Sequence, residues 1–256
     1  MPYLSHPNIV TPPDRTVLWR YLDLARFMDI LERRVLWFPR ADQFEDPLEG
    51  TYTDAEMDHV RSLASLKTPD GIKGVADSFA ETTTLMRSTN FICSWRAGTD
   101  ESMAMWDLYR RGSGVIAIRS TVGDLKNAIS HFERPVYIGE VKYVDWNEAP
   151  WDNNMLAMCV RKVLAYKHES EVRALVWALD ASLSVPPMLR TEPGTPVNPE
   201  GLPRGLEVPF NFHDHVTDMW IGPREAPWLV NLVKQIMKRY ALPQHVVASS
   251  LLQPRT

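Results

Sequence analysis

Three side chains on three strand-like segments have the types for one piece of chemistry: Arg20, Ser94 and Glu171. Glu171 opens an apolar run inside YKHESEVRALVWAL (166–179), where it and Arg173 alternate with Val172 and Ala174. On a strand both charges therefore share one face. A glutamate beside a developing sugar cation can stabilise an oxocarbenium-like transition state and hydrogen-bond the neighbouring ribose hydroxyl. Arg20, near the end of TVLWRY (16–21), offers the planar fork suited to phosphate or ribose. Ser94, in NFICSW (90–95), can hold a ligand hydroxyl or orient another side chain. The spacing alone does not bring the three together, and the alternation at Glu171 equally suits a solvated sheet edge with an ion pair.

A second group lies in DESMAMWDLY (100–109). On a helix over 101–109, capped by Thr99 or Asp100, the side chains of Ser102, Met105, Trp106 and Tyr109 share a face. Such a stripe packs as core or, with Trp106 or Tyr109 exposed, lines an aromatic slot for a planar base. Asp100 and Glu101 suit the positive end of that helix. His213 and His215, flanking Asp214, could share one strand face, but a metal needs a third ligand and neither HExxH nor CxxC is present. No metal is expected. The phosphate-binding GxxxxGK[ST], the GxGxxG fingerprint and the GxSxG elbow are all missing. Cys93 and Cys159, far apart and without a partner motif, read as reduced and inert thiols in a cytoplasmic protein.

The elements that must position these residues read as mixed α and β. The chain has 256 residues and a net charge of −4, so it can bury a large core and carries no charge bias toward nucleic acid or anionic membrane. Its N-terminus lacks a signal-peptide pattern, and no apolar run reaches the ~20 residues of a membrane span. Residues 1–15, rich in proline, read as an extended arm. A single domain follows over 16–256. Leu24, Phe27, Met28, Ile30 and Leu31 predict a helix capped by Asp23. Strands are expected at 35–38, 90–95, 114–120, 136–144, around 171–179, 219–222 and 245–251, and helices over 122–132, 155–165 and 226–240. Polar residues 54–87 predict an inserted helical pair broken at TPDG (68–71). Residues 184–209, with seven prolines, predict a long loop of the kind that serves as a lid. The fold class is therefore α+β with one continuous domain.

The motif order FEDPLEG (44–50), CSWRAGTDESMAMWDLY (93–109), YKHESEVRAL (166–175) and a closing IGP, helix and strand resembles the bacterial domain-of-unknown-function family 2971, over about residues 18–252. More distantly, the chain resembles ADP-ribosyltransferase-like domains, in which a first-strand Arg, a second-strand Ser and a later-strand Glu form an NAD site. That resemblance implies a central, mostly antiparallel, split sheet flanked by helices. It also implies an intracellular toxin or phage-defence enzyme that uses NAD as substrate and passes ADP-ribose to a protein or nucleic-acid acceptor. Glu171, Arg20 and Ser94 would be catalytic, and Tyr21, Trp95, Trp106, Tyr109 and Arg173 would bind the cofactor. Tyr21 competes with Arg20 for the first-strand position, and Ser94 lies in Cys-Ser-Trp rather than Ser-Thr-Ser. The alternative is a non-enzymatic regulatory module, with FEDPLEG and the Met-Trp-Tyr helix as its ligand or partner surface.

Overall fold

The run VLWRYLD forms β1 (Val17–Asp23), and its alternation divides the molecule into two layers. Leu18 and Leu22 enter a large apolar core, while Trp19 and Tyr21 join a separate aromatic cluster on the opposite side. The computed structural model describes residues 2–65, 83–110, 114–149, 155–178 and 203–253. Around β1 lie β3 (Asn90–Ala97), β4 (Val115–Thr121), β5 (Tyr137–Glu140), β8 (Glu171–Trp177), β10 (Asp218–Ile221) and β11 (His245–Ala248). They form one sheet in the order β11-β10-β4-β1-β3-β8-β5. Its pairings are antiparallel except for the parallel β10–β11 edge. Two further two-stranded sheets pair β2 (Val35–Pro39) with β9 (Gly205–Pro209), and β6 (Lys142–Val144) with β7 (Arg161–Val163). The fold is α+β, with a mostly antiparallel central sheet flanked by helices.

β1 and β3 pair at only two positions, Leu18 with Ala97 and Trp19 with Arg96. By contrast, β1 and β4 pair along seven positions, and β3 and β8 along another seven. The sheet is thus loosely joined along one seam at its centre, and a cleft lies beside it.

Helix α1 (Leu24–Arg33) starts where Asp23 accepts from the Arg26 amide at 2.7 Å, and it buries Phe27, Ile30 and Leu31. A second helix, α2, spans Asp54–Ser65. Helix α3 (Met103–Leu108) is capped by Ser102, whose hydroxyl accepts from the Met105 amide, rather than by Thr99 or Asp100. Helix α4 (Val122–Ala128) is followed by a 3-10 turn, and α5 (Phe212–His215) is a single turn. Pro227 starts α6 (Pro227–Arg239), which buries Leu229, Val233 and Met237 against the main core.

The N-terminal arm is extended but packed. Val10 accepts from the Glu140 amide, Tyr3 bridges to Val136, and Ile9 is buried against β5. Gly139 makes that contact feasible, since a Cβ there would lie 2.3 Å from Ile9 Cγ2. Four expectations are corrected. The helix over 155–165 is instead a 3-10 turn (Met155–Val160), β7 and another 3-10 turn (Leu164–Glu169). The strand over 136–144 is two strands separated at Val141. Gly205–Pro209, expected to be loop, is strand β9. His213 and His215 lie on a helical turn, not on a strand face. The inserted pair is helical at 54–65 and 83–89, while its TPDG break and most of the proline-rich 184–209 stretch lie outside the described residues.

Candidate active site

The cleft has a volume of about 430 Å³, within the range of small-molecule sites. Strand register builds its floor. Across β3 and β8, Arg96 lies opposite Glu171 and Ser94 opposite Arg173; across β1 and β3, Trp19 lies opposite Arg96. Directly opposed residues share a face, so Trp19, Ser94, Arg96, Glu171 and Arg173 stand on one side of the sheet. Ser94 and Glu171 both line the cleft, together with Tyr21, Trp95 and Tyr109.

Ser170, in the left-handed region at φ 44°, ends the preceding 3-10 turn and feeds the chain into β8 at Glu171. The Glu171 amide donates to the Tyr143 hydroxyl at 2.8 Å. Its carboxylate accepts from Arg173 Nε at 3.0 Å and Nη2 at 2.9 Å, and Lys162 Nζ stands 3.5 Å away. Burial pushes the Glu171 carboxyl upward, against the opposing pull of Lys162 and of a hydrogen bond with the Ser94 side chain. Lys162 also bonds Glu169 at 2.6 Å. Burial lowers its ammonium, but the two carboxylates outweigh that and push it up to about 12.

Arg173 is wholly enclosed and holds the floor together. Besides Glu171, it donates to Glu49 and, at 2.6 Å, to the Cys159 carbonyl. Burial pulls its guanidinium down to about 9, with the Asp46 carboxylate opposing that shift. It does not line the cleft, so its place is behind Glu171, orienting it, rather than against a ligand. Glu49 reaches this point from FEDPLEG, and Phe44 and Asp46 of the same segment form a wall.

Arg20 is not among the cleft-lining residues. It shares strand parity with Leu18 and Leu22, so it leaves β1 on the core side. There its Nη1 donates to the Ser94 carbonyl at 2.8 Å and to Cys93 Sγ at 2.9 Å, with the guanidinium over the Trp95 ring. Tyr21 occupies the cleft side of β1. Its hydroxyl accepts from the Ser102 amide at 3.0 Å, and burial raises its pKa. Trp106 lies behind Tyr21, edge-on at 4.8 Å, and donates to Glu101. It is buried in the aromatic cluster outside the cleft, which corrects its expected contact with a ligand. Tyr109, tilted against Tyr21 at 6.0 Å, is the aromatic of α3's end that lines the cleft.

Glu49, Arg96, Lys162 and Glu169 are among the cleft residues that sequence reading did not single out. FEDPLEG was a conspicuous signal for Glu49. Arg96 is two residues beyond Ser94 and thus on its face, a relation that strand parity alone could have revealed. Lys162 had no such signal, because its segment carries helical spacing.

Cys93 and Cys159 are buried free thiols, and burial raises both, Cys159 to about 12. His213 and Asp214 form an exposed pair at 2.7 Å. Among the described residues, no group of three or more His, Cys, Asp or Glu could hold a metal ion, and no helix is long and apolar enough to cross a membrane.

No family model matches the chain, so the resemblance to family 2971 rests on its motifs alone. No curated protein matches it in sequence. Among solved structures it is similar to DarT from Thermus sp. 2.9 in complex with ADP-ribosylated single-stranded DNA, at a TM-score of 0.40 and 9% identity, covering 94% of this chain and 97% of that one. It is also similar to the same DarT in complex with carba-NAD+, at a TM-score of 0.37 and 8% identity, covering 93% and 96%.

Proposed function

We propose that the chain is an ADP-ribosyltransferase-like enzyme that uses NAD as its substrate. The observation that carries this reading is the Glu171 carboxylate, fixed by Arg173 and Ser94 at the floor of an aromatic-lined cleft. In this reading the bond between ribose C1′ and nicotinamide breaks, and the electron pair leaves with nicotinamide. Glu171 stabilises the cation forming at C1′ and hydrogen-bonds the adjacent ribose hydroxyl. A nucleophile on a protein or nucleic-acid acceptor then bonds to C1′ and gives up its proton. Tyr109 offers its ring to the planar base, while the Trp95 ring is buried on the core side. The protein's share is orientation and electrostatics, since NAD carries the reactive bond.

The test is incubation with labelled NAD, comparing wild type with Glu171→Gln. A loss of about 10²–10³ in label transfer or nicotinamide release is expected for a pre-set electrostatic group. Equal turnover by both proteins sinks the reading.

One observation favours a second reading. Arg173, Lys162 and Ser94 already engage the Glu171 carboxylate, as in a purely structural ion cluster. A non-enzymatic binding module then follows, and NAD would neither bind nor turn over. Its partner surface cannot include Trp106, which is buried.

A further inference from the structure

A dinucleotide brings a diphosphate, and most of this cleft repels one. Asp23, Glu45, Asp46, Glu49, Glu169 and Glu171 all line it. Three cations line it too, namely Arg26, Arg96 and Lys162. Lys162 is committed to Glu169 and Glu171. Arg173 is enclosed behind the floor with its donors in use, and Arg20 lies on the core side of the sheet.

Arg96 differs from these. It stands between Trp19 and Glu171 in the register of three adjacent strands. Among the described residues its side chain donates to one acceptor, the Asp100 carbonyl, from Nη1 at 2.7 Å, and its Nε is buried without a partner. Gly98 makes room for this pose. A Cβ there would lie 2.8 Å from Arg96 Nη1, and Gly98 has a φ of +153°, which L side chains rarely adopt. The turn after β3 therefore seats a guanidinium with unused donors beside the proposed reacting carboxylate.

We propose that Arg96, with Arg26 at the start of α1, is the anion subsite of this cleft and takes the diphosphate of a nucleoside diphosphate ester. The identity of that ester rests on the NAD reading above, while the anion subsite itself does not. A guanidinium fork suits two phosphate oxygens at once, which an ammonium cannot match.

The full chain is titrated with ADP, inorganic pyrophosphate and adenosine, followed by tryptophan fluorescence and calorimetry. Trp19 and Trp95 line the cleft and supply the optical signal. Arg96→Gln should weaken ADP and pyrophosphate at least tenfold while leaving adenosine within twofold, and Arg96→Lys should restore only part of the loss. Unchanged adenosine binding also shows that the variant has kept its fold. ADP binding by Arg96→Gln within twofold of wild type overturns the proposal, as does a wild type that binds neither ADP nor pyrophosphate. If ADP and pyrophosphate bind in an Arg96-dependent way while NAD is never consumed, the anion subsite stands and the transferase reading falls.

Discussion

Arg173 and Glu49 form a buried ion pair across 124 residues of chain, and the same guanidinium holds Glu171. One side chain thereby ties the FEDPLEG segment to the start of β8. Removing Glu49 deprives the enclosed Arg173 Nη2 of one of its two carboxylate acceptors and unties FEDPLEG from β8. Glu49→Ala should cost about 3–5 kcal/mol in urea unfolding. Asp58→Ala, which breaks an exposed pair with Arg61, should cost no more than about 1 kcal/mol. Similar midpoints for the two variants would show that FEDPLEG is not anchored through this pair.

Ser94 tests the floor without touching that ion pair. Its side chain lines the cleft with Glu171 and pulls that carboxyl downward, and its carbonyl, which binds Arg20, survives substitution. A hydrogen bond to a charged group contributes about 1.5–3 kcal/mol. Ser94→Ala should therefore slow NAD turnover about 10- to 100-fold in steady-state assays and lower the unfolding free energy by no more than about 3 kcal/mol. Full activity in Ser94→Ala would leave Glu171 positioned by Arg173 alone.

Much of this arrangement was legible in the sequence, and the losses have identifiable causes. Period-two alternation placed Glu171 and Arg173 on one face, and the spacing of Leu229, Val233 and Met237 fixed the last helix. Residue type alone groups Arg20 with Ser94, and strand parity separates them. Parity puts Arg20 with Leu18 and Leu22, and Tyr21 with the cleft. The 155–165 segment misled for a different reason. Its apolar spacing is helical, but tertiary ion pairs decide its path. Arg161 reaches Glu56 at 2.7 Å and Lys162 reaches Glu169 and Glu171, and an extended β7 sends these adjacent side chains to different partners. The Arg161–Glu56 pairing joins residues 105 apart in the chain and leaves no periodic trace.

The aromatic residues separate ligand contact from packing. Tyr109 lines the cleft and Trp106 does not. A base stacked on an aromatic ring is worth about 1–3 kcal/mol, so Tyr109→Ala should weaken nucleotide binding about tenfold or more. Trp106→Phe keeps an aromatic ring against Tyr21 but loses the indole's bulk and its bond to Glu101. It should lower the unfolding midpoint and leave affinity unchanged. The reverse outcome, with affinity lost in Trp106→Phe and kept in Tyr109→Ala, would place the ligand on the other side of Tyr21.

Lys162 gives a pH signature. Its ammonium is raised from 10.5 to about 12 in the folded chain by Glu171 and Glu169, which outweigh the opposing effect of burial. A cation held above its unfolded pKa adds stability that is complete below that value and disappears as the group deprotonates. The contribution of Lys162 should thus be constant below pH 10.5 and vanish as the pH climbs through about 12. Urea unfolding of wild type and Lys162→Met at pH 8, 10 and 11.5 isolates it, because other titrating groups largely cancel in the difference. Wild type should be the more stable at pH 8 and 10, and the gap should narrow by pH 11.5. A gap that stays constant into that alkaline range would mean that Lys162 does not contribute through its charge.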